Sequence, residues 1–294
     1  MSLVVFLHSG TRLGGLSEYF ENDTSLNLPV DTILDQYKTD EEFERRFGAL
    51  VRLYGPEGAK CIFGAHVVVV GIGGVGSWAT ETLARSGVAR LTLIDMDHIS
   101  VSNVNRQIHS LTDTIGQSKV LAMKSRILEI NPGCWVTVVE DFVTPENWAQ
   151  MVTQLQHPID GLIDACDQTL AKVALCEWGL QTRAHMVTVG AAGGKRAAHQ
   201  VEIKDLIDVT HDPLMAQVRY RLRRSGALAK EVKKSQIQCV FSTEKVINPW
   251  GSEGTESADN DSSLNCHGYG SSVAVTATFG HCAAGWMLQE IANT

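Results

Sequence analysis

The sequence predicts an α/β protein: a doubly wound, mostly parallel Rossmann-like sheet with an added C-terminal α+β region. Three observations predict it. Short, uncharged, β-branched runs recur between residues 66 and 189, as expected of strands buried on both faces. Segments with apolar residues at helical spacing separate them. The first strand–helix junction carries Gly71, Gly73 and Gly76 with G-x-G-x-x-G spacing.

That junction organises the chain. Val67 to Val70 read as the first strand, and Val75, Ala79 and Leu83 start a helix that Gly87 stops. In such a unit the first glycine allows the turn, and the second lets a phosphate approach the backbone. The third lets helix and strand pack closely. Gly74 lies in the same turn, and the helix N-terminus offers free N–H groups to an anion. The second strand, Ala89 to Ile94, ends at Asp95, a carboxylate placed for a ribose. By itself this fingerprint fits NAD or FAD as well as ATP.

The remaining elements follow in order. Glu41 to Gly55 reads as an amphipathic helix with Phe43, Phe47, Leu50 and Val51 on its apolar side. Ile99 to Gln107 is a polar loop at the carboxyl edge of the sheet. Gly116 to Lys119 opens a helix that Asn131-Pro132 ends. Trp135–Val139, Gly161–Ala165 and His185–Val189 are further strands, with helices near 146–155 and 169–181. Beyond residue 197 the texture changes. Gln200–Ile203 and Ile237–Ser242 look like strands, 249–265 reads as a mobile loop, and 270–288 as a buried apolar segment rather than a membrane contact. Residues 1–40 carry little pattern and are expected to be a leader.

Composition narrows the function classes. Seven cysteines, odd in number, scattered and without a C-x-x-C pair, argue against a disulfide framework and a structural zinc. A cytoplasmic setting follows. The net charge of −8 gives no general affinity for nucleic acid, so such binding needs a local patch. One exists: residues 219–234 hold Arg219, Arg221, Arg223, Arg224, Lys230, Lys233 and Lys234 against one acid, Glu231.

Several polar groups sit at strand ends or helix starts: Asp95 with Asp97, Asn103 with Arg106 and Gln107, Lys119, and Asp164 with Asp167. An NAD site needs the first pair only. ATP used to adenylate needs cations for its phosphates and an acid to hold Mg²⁺, roles open to Arg106, Lys119 and Asp167. Each has a structural alternative: Lys119 as a solvated helix residue, Arg106 as a partner of Asp113, and Asp167 as a helix cap.

In this order, Gly71–Gly76, Leu93–Asp97, Ser102–Gln107, Gly116–Lys119, Ile130–Pro132 and Asp164–Asp167 resemble the ubiquitin-activating-like adenylyltransferases. The resemblance implies an ATP-binding adenylation core over 41–196 and a substrate and dimer region over 197–294. It implies Mg²⁺ and a homodimer, with Asp95 on the ribose, Arg106 and Lys119 on phosphates, and Asp167 on the metal. Arg46-Phe47-Gly48-Ala49-Leu50 departs from the family's amino-terminal motif by lacking its second arginine, and Arg52 is the substitute for the arginine that crosses to the partner's site. Arg46-Phe-Gly, Asp212-Pro-Leu214, Cys239–Glu244 and Val275–Gly280 are similar to one branch, the tRNA threonylcarbamoyladenosine dehydratases. That branch implies a tRNA substrate, with Arg219, Arg221, Arg223 and Arg224 on its phosphates. An adenylyltransferase for a small sulfur-carrier protein and a dinucleotide-binding oxidoreductase are the alternatives. A monovalent cation and a cysteine-desulfurase or sulfur-acceptor partner stay open.

Overall fold

The computed structural model describes residues 41–182, 184–246 and 269–294. The expected leader, the 249–265 loop and Cys266 lie outside the described residues.

Seven strands form one sheet in the order β3-β2-β1-β4-β5-β7-β6. They are β1 (His66–Val70), β2 (Arg90–Ile94), β3 (Trp135–Val139), β4 (Gly161–Asp164), β5 (His185–Val189), β6 (Val201–Asp205) and β7 (Gln238–Ser242). All neighbours are parallel except β6, which runs antiparallel along β7. The chain winds outward through β1, β2 and β3, then returns to place β4 against the other side of β1. That reversal opens a crevice at the carboxyl ends of β1 and β4, where open α/β sheets take ligands.

Helices cover both faces. One face carries α1 (Glu41–Gly64), α2 (Gly76–Arg85), α3 (Lys119–Ile130) and α7 (Val273–Ala292). The other carries α4 (Trp148–Gln154), α5 (Thr169–Gln181) and α6 (Pro213–Ser225). Alternation along β1 feeds both: Val67 and Val69 enter the first core, Val68 and Val70 the second. A strand covered on both sides has no polar face, so its sequence reads as an unbroken valine run.

Two elements differ from expectation. Helix α1 has a second stretch that was not expected, which runs on after the first ends, as expected, at Gly55. That residue takes a left-handed backbone (φ 76°), and helix resumes with Pro56, suited to a first turn because it needs no N–H partner. The region after 197 also shares the sheet, because β7 inserts between β5 and β6.

The apolar segment near 270–288 is α7, a buried helix laid on α2. A Cβ at Gly280 would stand 2.5 Å from the Val75 carbonyl oxygen, so only glycine permits this approach. Among the described residues no helix is long and apolar enough to cross a membrane.

Candidate active site

A cavity of about 390 Å³ occupies the crevice. The ends of β1, β2, β4 and β5 border it at Val70, Ile94, Ala165 and Val189. The polar loop before α3 and the first turn of α7 complete the wall, through Asn103, Arg106, Gln107 and Thr276.

The glycine turn is held by contacts that only glycines allow. Gly71 has φ 85°, and a Cβ there would meet the Cys166 amide nitrogen at 2.8 Å. A Cβ at Gly76 would stand 1.7 Å from the Gly71 carbonyl oxygen. Gly73 and Gly74 face the cavity. Gly76 lies behind them, starting α2.

Asp95 secures the turn from the side. Its carboxylate accepts the Ile72 N–H at 2.6 Å and the Asp97 N–H at 2.9 Å. Burial pushes the Asp95 carboxyl above the usual range, and the nearby Lys119 charge opposes that shift. The Lys119 ammonium lies 2.6 Å from Asp97 and 3.9 Å from Asp95. Lys119 is therefore no solvated surface residue: its side chain is 8% exposed. Its neighbour Arg106 donates to the Ser102 carbonyl at 2.7 Å and to Asn105 at 3.0 Å, so its bonds are not to Asp113. Asn103 is buried and accepts the Ser100 N–H at 2.9 Å, fixing the loop that presents Arg106.

Across the cavity stands Asp167, exposed on the link between β4 and α5. It is not the cap of α5. Gln168 holds that position and makes no side-chain cap. Asp167 makes no hydrogen bond among the described residues, which leaves its oxygens open to a hard cation. No three His, Cys, Asp or Glu side chains converge on a metal position among the described residues. A metal here would take its other ligands from phosphate and water, as Mg²⁺ commonly does.

Beneath this link lies a group that sequence reading missed. The Lys172 ammonium, fully buried, is 3.0 Å from Asp164, and Thr188 donates to the same carboxylate oxygen at 2.6 Å. The Cys166 thiol reaches the other oxygen at 3.0 Å. Burial opposes charge on Lys172, yet the Asp164 carboxylate outweighs it and raises the pKa. These bonds tie the β4–α5 link to β5. The signal was a lysine inside an apolar helix pattern. Thr276 was missed too. It is 3% exposed, its hydroxyl has no partner, and it borders the cavity beside Gly74. The Gln107 side-chain oxygen is likewise buried and unpartnered. Thr276 lies in the Val275–Gly280 motif, but nothing local aims it at the cavity, because α7 comes from far along the chain.

Not every candidate lies here. Arg52 is exposed on α1 and does not border the cavity. Arg219, Arg221, Arg223 and Arg224 are on α6, outside it. Arg219 donates to the carbonyls of Leu206 and Val209, both at 3.0 Å, so part of its guanidinium serves the fold. Cys239 is fully buried on β7, where burial pushes its thiol well above the ordinary range.

Comparisons with known proteins agree with this architecture. A family model described as the ThiF family matches residues 46–291. The chain is 42% identical over 258 residues to the tRNA threonylcarbamoyladenosine dehydratase of Escherichia coli (strain K12), covering 85% of its own length and 95% of the relative's. It superposes with a TM-score of 0.76 and 41% identity on the crystal structure of E. coli tRNA N6-threonylcarbamoyladenosine dehydratase in complex with ATP, covering 86% of this chain and 96% of that one. The figures for the same protein in complex with AMP are identical.

Proposed function

Because this chain belongs to the ThiF family, we propose that it is a tRNA threonylcarbamoyladenosine dehydratase, an enzyme that uses ATP to cyclise that nucleoside with loss of water. The observation that carries the site assignment is that Arg106, Lys119 and Asp167 border one cavity with the glycine turn. A dinucleotide would use the turn and Asp95 but leave Lys119 and Asp167 without a role.

ATP enters as substrate. Its phosphates lie along Gly71–Gly74, where backbone N–H groups and the N-terminus of α2 favour negative charge. Asp95 takes the ribose, while Asn103 and Gln107 flank the phosphates. Arg106 and Lys119 meet phosphate oxygens, and Asp97 holds Lys119 in place until they do. Asp167 fits a magnesium ion, whose charge would make the α-phosphorus more electrophilic.

The threonyl carboxylate attacks that phosphorus, pyrophosphate leaves, and an acyl-adenylate forms. An atom of the substrate's own carbamoyl group then attacks the acyl carbon, and AMP departs with the former carboxylate oxygen. Proximity within one molecule suffices for this second step, so no protein thiol is required. The high thiol pKa values of Cys166 and Cys239 agree. Arg52 faces outward on α1, where a second copy in a homodimer could use it, and the cytoplasm is the setting.

Pyrophosphate release tests the reading. It should appear with ATP and tRNA carrying threonylcarbamoyladenosine. Release with a glycine-tailed carrier protein, and none with that tRNA, would replace this function with sulfur-carrier activation.

A further inference from the structure

A second depression, of about 370 Å³, adjoins the cavity and shares Pro213 and Val246 with it. Its walls come from the 209–212 loop, the start of α6 and Lys245. Arg219 and Lys245 supply cations. The one acid in its lining, Asp212, is already engaged: it accepts the Ala191 N–H at 2.8 Å and the Met215 N–H at 3.0 Å. Lys245 has no acid partner among the described residues. His211 lines the same groove with a left-handed backbone (φ 58°), a conformation uncommon for non-glycine residues.

Beyond the lining, the same face of α6 runs on past the groove. Pro213, Ala216, Arg219, Tyr220 and Arg223 recur at three- and four-residue spacing, so they form one stripe. Tyr220 is 63% exposed, and the Arg223 Nε is buried without a partner. Arg221 belongs to another edge. Its helical neighbours Gln217 and Ser225 bond Thr169 and Glu177 of α5. Three of the arginines thus divide, with Arg219 lining the groove, Arg223 one turn beyond it on the same stripe, and Arg221 turned toward α5.

We propose that this groove seats the sugar–phosphate backbone of the nucleotide adjoining the one whose carboxylate enters the cavity, with Lys245, His211, Tyr220 and Arg223 as its contacts. The proposal rests on the tRNA reading above. A reacting nucleotide inside the cavity is still joined to its polymer, so the strand must leave across an adjoining surface. This surface offers unpaired cations for phosphate and an exposed aromatic ring for a base, the two contacts that single-stranded RNA uses.

The test uses the full chain and a synthetic anticodon stem–loop carrying threonylcarbamoyladenosine. Affinity is measured across a salt series for wild type, for Arg221→Ala, and for Lys245→Gln combined with Arg223→Gln. Two lost phosphate contacts should lower the slope of log affinity against log salt by about 1.4, and affinity at least tenfold. ATP affinity should not change, which also reports an intact fold. Arg221→Ala should change the slope little. Wild-type slope and affinity in the double variant, while wild type still cyclises the stem–loop, would overturn the groove alone. Failure of wild type to bind or cyclise the stem–loop would overturn the function and the groove together. Loss of a carrier-protein response instead would assign the groove to protein.

Discussion

At the scale of single residues, charge placement decides what the cavity does. Asp167 is exposed, partnerless and across from Lys119. Replacing it by Asn should leave melting temperature and ATP affinity nearly unchanged, because the exposed carboxylate makes no hydrogen bond or ion pair among the described residues. Turnover should fall on the order of 10²-fold, since the loss is felt as charge develops. Single-turnover kinetics beside ATP calorimetry would check this, and near-normal turnover would remove Asp167 from the mechanism. His109 makes a pH statement. Burial, with the Lys119 and Arg126 charges, lowers its pKa to about 4, and neither ring nitrogen has a partner. The unfolded chain then binds more protons than the folded one between pH 6.5 and 4. Stability is therefore full above that window and lost as pH falls through it, by up to about 3 kcal/mol. Denaturant unfolding at pH 7 and pH 4.5 should show this loss in wild type and a smaller one in His109→Gln.

At the scale of elements, the contact between α2 and α7 positions the glycine turn. Both helices bring their first turns to the cavity, and His281 on α7 bonds Thr82 on α2 at 2.7 Å. Gly280→Ala would set a methyl group against the Val75 carbonyl. It should cost about 1–3 kcal/mol as overpacking and weaken ATP binding with it. Gly285→Ala is the control in the same helix. A Cβ there meets nothing within 4 Å, so it should be neutral or stabilise by up to about 1 kcal/mol. Equal losses from both would show that α7 tolerates no change of helix residue, whatever its packing. The strands of this region were legible in sequence because a strand buried on both faces leaves a run such as Val67–Val70. The insertion of β7 between β5 and β6 was not, because pairing across that distance leaves no local pattern. The second stretch of α1 was hidden for the opposite reason: the Gly-Pro pair reads as an end, and it is one, but Pro56 also opens a new helix.

For the molecule as a whole, the bound nucleotide should add to the stability that the two apolar cores supply. ATP with Mg²⁺ should raise the melting temperature, and NAD should not, because only a triphosphate uses Arg106 and Lys119. Equal stabilisation by NAD would favour the oxidoreductase reading. Much of the cavity wall was legible because its residues come from strand ends, which sequence marks by motif and order. Thr276, Lys172 and the groove beside Pro213 were not, since each depends on how distant elements dock.

The docking of α7 has a consequence for biosynthesis. The turn at Gly71–Gly76 emerges early from the ribosome, but the helix backing it spans Val273–Ala292. Until that helix emerges, the apolar side of α2 that packs on Val275 and Phe279 lies bare, and the cavity lacks the wall that Thr276 supplies. Nascent chains should therefore not hold ATP, however complete their glycine motif. They should expose a sticky helix until α7 has emerged, and chaperone occupancy should fall only when α7 docks.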